Sequence, residues 1–167
     1  MFKDYFEDCS IGDRTVTQGR TITESDVVSF AALSSDWNAI HTDRHYAAKY
    51  SPYGQRVAHG LLGLVAGLCL LSRPGWFTFW PKSWLFLSGL DRVRFIAPIF
   101  IGDTIHLDAE IVNLQPISDD RGVVTSRMRI RNQDDMLVIS ARLKLIAGRR
   151  SASLVSPFSA GSEISDA

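Results

Sequence analysis

Between residues 85 and 147 hydrophobic residues recur with a period of two, in four stretches long enough to be strands: 85–97, 103–113, 122–131 and 136–147. The breaks between them, 98–102, 115–121 and 132–135, are short and carry Pro, Gly, Asn or Asp. Connections of that length close hairpins, whereas parallel neighbours need a crossover of a dozen residues or more. The second half therefore predicts a meander of antiparallel strands. Such a sheet needs a cover for its apolar face, and the chain offers one charge-free candidate, residues 61–71. That run falls well short of the ~20 apolar residues that span a bilayer, so it reads as a buried helix. With a further strand at 14–20, the expectation is an α+β fold in which five or six antiparallel strands wrap one apolar helix.

Upstream, Thr23 can cap a helix whose first turn carries Glu24 and Asp26, the charge sign the helix dipole favours there. Val27, Val28, Phe30, Ala31 and Leu33 would give that helix its buried face, and it ends near Ser34 and Ser35. Residues 36–43 then read as a loop, followed by a short helix at 44–50 capped by Asp43 and a turn at 51–55. One domain is expected over residues 1–148. The Ser-rich segment 149–167 lacks hydrophobic periodicity and reads as a flexible tail.

Eighteen basic and eighteen acidic side chains cancel, and no basic stripe stands out, which excludes a nucleic-acid partner held by bulk charge. Asp4, Glu7, Asp8 and Asp13 interrupt the N-terminus where a secretory signal needs an apolar run, so a cytoplasmic protein with no membrane partner is expected. Two cysteines exclude a disulfide scaffold. Cys69, inside the apolar run, is expected to pack rather than react.

The chemistry-bearing segment is Asp36-Trp37-Asn38-Ala39-Ile40-His41-Thr42-Asp43, followed by Ala58-His59-Gly60. A carboxylate and an imidazole five residues apart on irregular backbone can converge on one water, where one takes its proton and the other holds it. Gly60 opens the apolar helix, and a first-turn N–H is a ready donor to an oxygen that gains negative charge. Without a side chain there, a substrate can approach closely.

These residues resemble the D-x-N-P-[I/L]-H-x-D signature of the MaoC-like dehydratases, the (R)-specific enoyl-CoA hydratases. The A-H-G-L-L that follows and the run V-R-F-I-A-P-I-F-I-G-D-T-I at 93–105 are similar to further segments of that family. The similarity spans roughly residues 10–147. It implies a hot-dog fold, a curved antiparallel sheet wrapped around a long central helix. It implies that Asp36 and His41 bind and activate the water that adds to an α,β-unsaturated acyl thioester. It also places the Gly60 amide at the thioester oxygen, with Asn38 bracing the loop and His59 beside the substrate. The expected substrate is an acyl-CoA, with no metal or redox cofactor. The expected assembly is a homodimer, or a larger oligomer of dimers, with a continuous sheet. Ala39 departs from the pattern, where proline would restrict the backbone more tightly.

Other readings stand beside this one. His41, Asp43 and His45 have an H-x-D-x-H spacing, but Asp43 is the expected cap of the next helix and no fourth ligand is near. His59 also reads as a structural histidine. Trp76, Phe77, Phe79, Trp80 and Trp84 fit either a wall of an acyl pocket or packing over the core or a dimer contact. Gly63 and Gly67 either leave room for an acyl chain or let the sheet pack closely. Arg92 and Arg94, two apart on a strand, are expected on one face, toward CoA phosphates or solvent. A hot-dog thioesterase and a non-catalytic subunit that holds an acyl thioester are the alternative functions.

Overall fold

The computed structural model describes residues 2–151. In chain order the elements are β1 (Arg14–Val16), β2 (Arg20–Thr21), α1 (Glu24–Ser34), α2 (Ala39–Thr42), α3 (Arg44–Tyr50), α4 (Gly60–Leu68), β3 (Trp84–Phe95), β4 (Thr104–Pro116), β5 (Arg121–Arg131) and β6 (Leu137–Gly148). The six strands form a single antiparallel sheet in the order β1-β4-β5-β6-β3, with β2 also on β4. The sheet wraps α4. This is the hot-dog arrangement.

Alternation sets the two faces of the sheet. Leu107, Ala109 and Ile111 of β4, Met128 and Ile130 of β5 and Leu143 and Leu145 of β6 are buried, against α4 and its continuation. Glycine lets that helix sit close. A Cβ at Gly63 would lie 2.5 Å from Ile99 Cδ1, and one at Gly67 would collide with Ile130. Gly67 therefore serves packing against β5, while Gly63 lets Ile99, in the loop after β3, and Ile139 of β6 come close. After Leu68 the helix tightens into a 3-10 turn, Cys69–Ser72.

Several expectations are corrected. The expected strand at 14–20 is two short strands, because Thr17 leaves the ladder to bond Leu107 through both its amide and its Oγ1. In α1, Val27 and Ala31 are buried and Phe30 half-buried, but Val28 and Leu33 are exposed. The expected loop at 36–43 contains one helical turn, α2, capped by Asn38. Cys69 is exposed rather than packed, because its position falls on the outer side of the tightened turn, while Cys9 is the buried cysteine. Register shifts between Asp91 and Arg94 break the alternation that would have set Arg92 and Arg94 on one face. Residues 152–167 of the expected tail lie outside the described residues. Its first residues, Arg149 and Arg150, bond Glu7 and Asp8.

Trp76, Trp80 and Trp84 stack on one another with centroids 5.5 to 6.1 Å apart and planes within 18°. Trp80 and Phe79 are each 2% exposed, and the Trp80 indole N–H donates to Ser126 Oγ. Phe79 and Trp80 belong to the core, Trp76 and Trp84 pack against it, and Phe77 is exposed.

Candidate active site

The site forms where α1 hands over to α2 and where α4 begins. Thr23 caps α1 through a reciprocal pair with Asp26. The helix stops at Ser35, whose φ of +60° is the left-handed cap conformation more often taken by glycine. That turn redirects the chain, and Asp36 is the next residue. The Asn38 amide donates to Asp36 Oδ1 at 3.3 Å. The Asn38 side chain in turn accepts from Ile40 N–H at 3.1 Å, so one asparagine steadies the carboxylate and starts α2.

His41 lies in the single turn of α2, half-buried, with Nδ1 2.7 Å from the Val57 carbonyl. A carbonyl only accepts, so Nδ1 carries the proton and Nε2 is left with its lone pair. His59 is 2% exposed. Its Nε2 donates to the Asp36 backbone carbonyl at 2.9 Å, and its Nδ1 is buried without a partner. The two imidazole rings lie 3.9 Å apart, inclined by 30°, and Phe30 packs on the other ring at 5.0 Å. Asp36, His41 and His59 each present a ligand atom within 4.8 Å of the others.

That triplet replaces the H-x-D-x-H spacing as the place where a metal could sit. Asp43 instead accepts from the His45 and Tyr46 amides and caps α3. Tetrahedral coordination needs lone pairs that converge from different directions. Here His41 Nδ1 and His59 Nε2 are already engaged by the Val57 and Asp36 carbonyls, which leaves one nitrogen of each ring beside the Asp36 carboxylate, a set that can hold a water.

Gly60 is the first residue of α4, so its N–H has no acceptor within the helix. His41 and Gly60 line one cavity of about 430 Å³, walled mainly by apolar side chains that include Ile40, Val57, Leu61, Phe95 and Ile99. Tyr53 also lines it. None of the sequence motifs pointed to Tyr53, since an aromatic in a turn carries no local signal, whereas Phe95 lies in the 93–105 run that resembles a family segment. Arg56 forks onto Glu24 and holds that carboxyl below its ordinary range, pinning the 54–57 turn to the start of α1. The structure thus brings Asp36, His41 and His59 together, with Asn38 bonded to Asp36 and Ile40, and sets His41 and Gly60 in the cavity wall, which includes neither Asp36, Asn38 and His59 nor the aromatic cluster 76–84.

Comparison with known proteins identifies the family. The family model described as "MaoC like domain" matches residues 8–133. A 3-hydroxybutyryl-CoA dehydratase from Methylorubrum extorquens is 36% identical over 114 residues, which are 67% of this chain and 66% of that protein. An (R)-specific enoyl-CoA hydratase from Rhodospirillum rubrum is 32% identical, over 67% of this chain and 72% of its own length. Protein MaoC of Klebsiella aerogenes is 39% identical over 64% of this chain, which covers 30% of that much longer protein. The match thus spans about a third of Protein MaoC and about two thirds of the 3-hydroxybutyryl-CoA dehydratase. Among solved structures, a monoamine oxidase regulatory protein from Archaeoglobus superposes with a TM-score of 0.82 at 34% identity, covering 88% of this chain and 95% of that one. An R-hydratase from Pseudomonas aeruginosa superposes at 0.69 and 25% identity, over 95% and 97%. Fold, motif geometry and matched length converge, and the chain belongs to the MaoC-like dehydratase family.

Proposed function

We propose that this protein is a hydro-lyase that reversibly hydrates a trans-2-enoyl-CoA to a 3-hydroxyacyl-CoA. The observation that carries this reading is the convergence of the Asp36 carboxylate and the His41 imidazole beside an apolar cavity opened by Gly60. Water sits between Asp36 and the free Nε2 of His41. Asp36 takes one proton as the water oxygen bonds to C3 of the enoyl group, and His41 holds the water by accepting its second O–H at Nε2. Electron density moves onto the thioester oxygen, where the Gly60 N–H stabilises it. The enolate then takes at C2 the proton that Asp36 accepted, so over a turnover neither side chain gains or loses charge. The apolar walls exclude bulk water and receive the acyl chain.

The working unit in this reading is a pair of chains. β3 is an edge strand, and Leu85, Phe86, Leu87, Leu90 and Phe95 on it are all more than a third exposed. An apolar edge of this length invites pairing with a second copy.

The test is hydration of crotonyl-CoA followed by loss of enoyl absorbance. Asp36→Asn and His41→Ala should each lower kcat by about 10²- to 10⁴-fold with the fold retained. Near-full activity in Asp36→Asn would refute the assignment. Release of free thiol from acyl-CoA would point to a thioesterase instead.

A further inference from the structure

We propose that the outer face of the sheet carries a second binding site, for a phosphoryl anion, built on Arg92, Arg142 and Lys144. These three line a cavity of about 460 Å³ on the side of the sheet away from α4, together with Asn113, Gln115 and Thr125. Three observations converge there. Arg92 has φ +51°, one of three non-glycine residues with positive φ among the described residues, and it sits within a bulge of the edge strand. A bulge re-aims a side chain, and a residue held in the left-handed region outside a turn is retained where something else is gained.

Arg142, half-buried, has no carboxylate within ion-pairing distance among the described residues. Its cross-strand neighbour on β5 is Arg127, whose own charge is met by Glu110 at 2.6 Å and so leaves no carboxylate for Arg142. On its other side stands Asp91, whose carboxylate is 2.6 Å from Lys144 Nζ and is therefore already engaged. The cavity wall thus holds three cations against one carboxylate, with Asn, Gln and Thr groups beside them to donate neutral hydrogen bonds. Two guanidiniums with an ammonium match the tetrahedral, multiply charged oxygens of a phosphate or diphosphate better than a single carboxylate. Arg142 and Lys144 stand on the face of the sheet on β6, one strand in from the edge, so pairing of β3 with a second copy would not consume them.

The site goes beyond the proposed hydration, and its first test is independent of it. Calorimetric titration of the full chain with inorganic pyrophosphate at low salt should show binding that Arg92→Gly and Arg142→Gln each weaken at least about tenfold. Arg92→Gly is informative because glycine accepts the positive φ, so its melting temperature should stay level or rise while binding is lost. Arg142→Lys should retain part of the affinity, since it keeps the charge without the fork. Turnover of crotonyl-CoA then separates the sources of the phosphoryl group. A raised KM with unchanged kcat in Arg92→Gly would identify it as the substrate's own CoA, and an unchanged KM would identify a separate phosphorylated ligand. Absence of pyrophosphate binding at millimolar concentration, or equal binding by both variants, would overturn the proposal.

Discussion

The imidazole rings of His41 and His59 lie 3.9 Å apart, inclined by 30°, each fixed by a backbone carbonyl at the far side of the site: Val57 for His41 and Asp36 for His59. The buried ring thus holds two things at once, the orientation of its neighbour and the backbone of the carboxylate. His59→Phe keeps a ring in the stack but leaves the Asp36 carbonyl without its donor. We expect kcat to fall about tenfold or more, with KM little changed and the melting temperature lowered modestly, as for one lost hydrogen bond of about 1 kcal/mol. A wild-type kcat in that variant would show that His59 only fills space.

Two glycines on α4 should respond in opposite ways to the same added methyl. At Gly60 a Cβ would stand 2.9 Å from Phe95 Cδ1, but Phe95 is 53% exposed and free to swing away. Gly60→Ala is expected to fold with stability within about 1 kcal/mol of wild type, while kcat/KM falls at least tenfold. At Gly67 the obstacle is Ile130, 1% exposed, with no such freedom. Gly67→Ala is expected to lose about 1–3 kcal/mol by overpacking, more than the helix gains from alanine. Denaturant melts of both variants check the contrast.

Acid should unfold the protein partly through Asp108. This carboxylate is 3% exposed; burial works to raise its pKa, but two hydrogen bonds from Arg14 and the charge of Arg129 outweigh it and hold the group below 3.8. The folded pKa is thus lower than the unfolded one. Its contribution is complete above the unfolded value and is lost as pH falls through the folded value. Asp13, Asp26 and Glu110 shift in the same direction. Stability should be level down to about pH 5 and fall steeply below about pH 4. Asp108→Asn should be destabilised at neutral pH, and its deficit should shrink in acid; a deficit independent of pH would contradict this account.

Cys9 should be silent toward thiol reagents in the native protein. It is 5% exposed, and burial pushes its thiol up to about 11, so at pH 8 almost none is thiolate. Labelling is expected to reach Cys9 only on unfolding, and rapid native labelling, read by peptide mass, would show that this corner opens.

The period-two stretches and the charge-free run at 61–71 were enough to specify a sheet around a helix, because local alternation decides which side of a strand is apolar. Asp36, His41 and Gly60 stood out in the sequence through the resemblance of their segments to a family signature, which residue types and spacing alone carry only weakly. Tertiary structure decided what spacing cannot carry. The partnership of His59 with the Asp36 carbonyl spans 23 residues, and no local pattern encodes it. The exposure of Cys69 depended on which side of a tightened turn met the sheet. The bulge at Arg92 depended on the register of β3 against β6. The balanced charge of the whole chain also concealed its distribution, since Arg127, Arg142 and Lys144 come to one face only when β5 and β6 pair. Sequence fixes what each segment can bury, and packing fixes which segments meet.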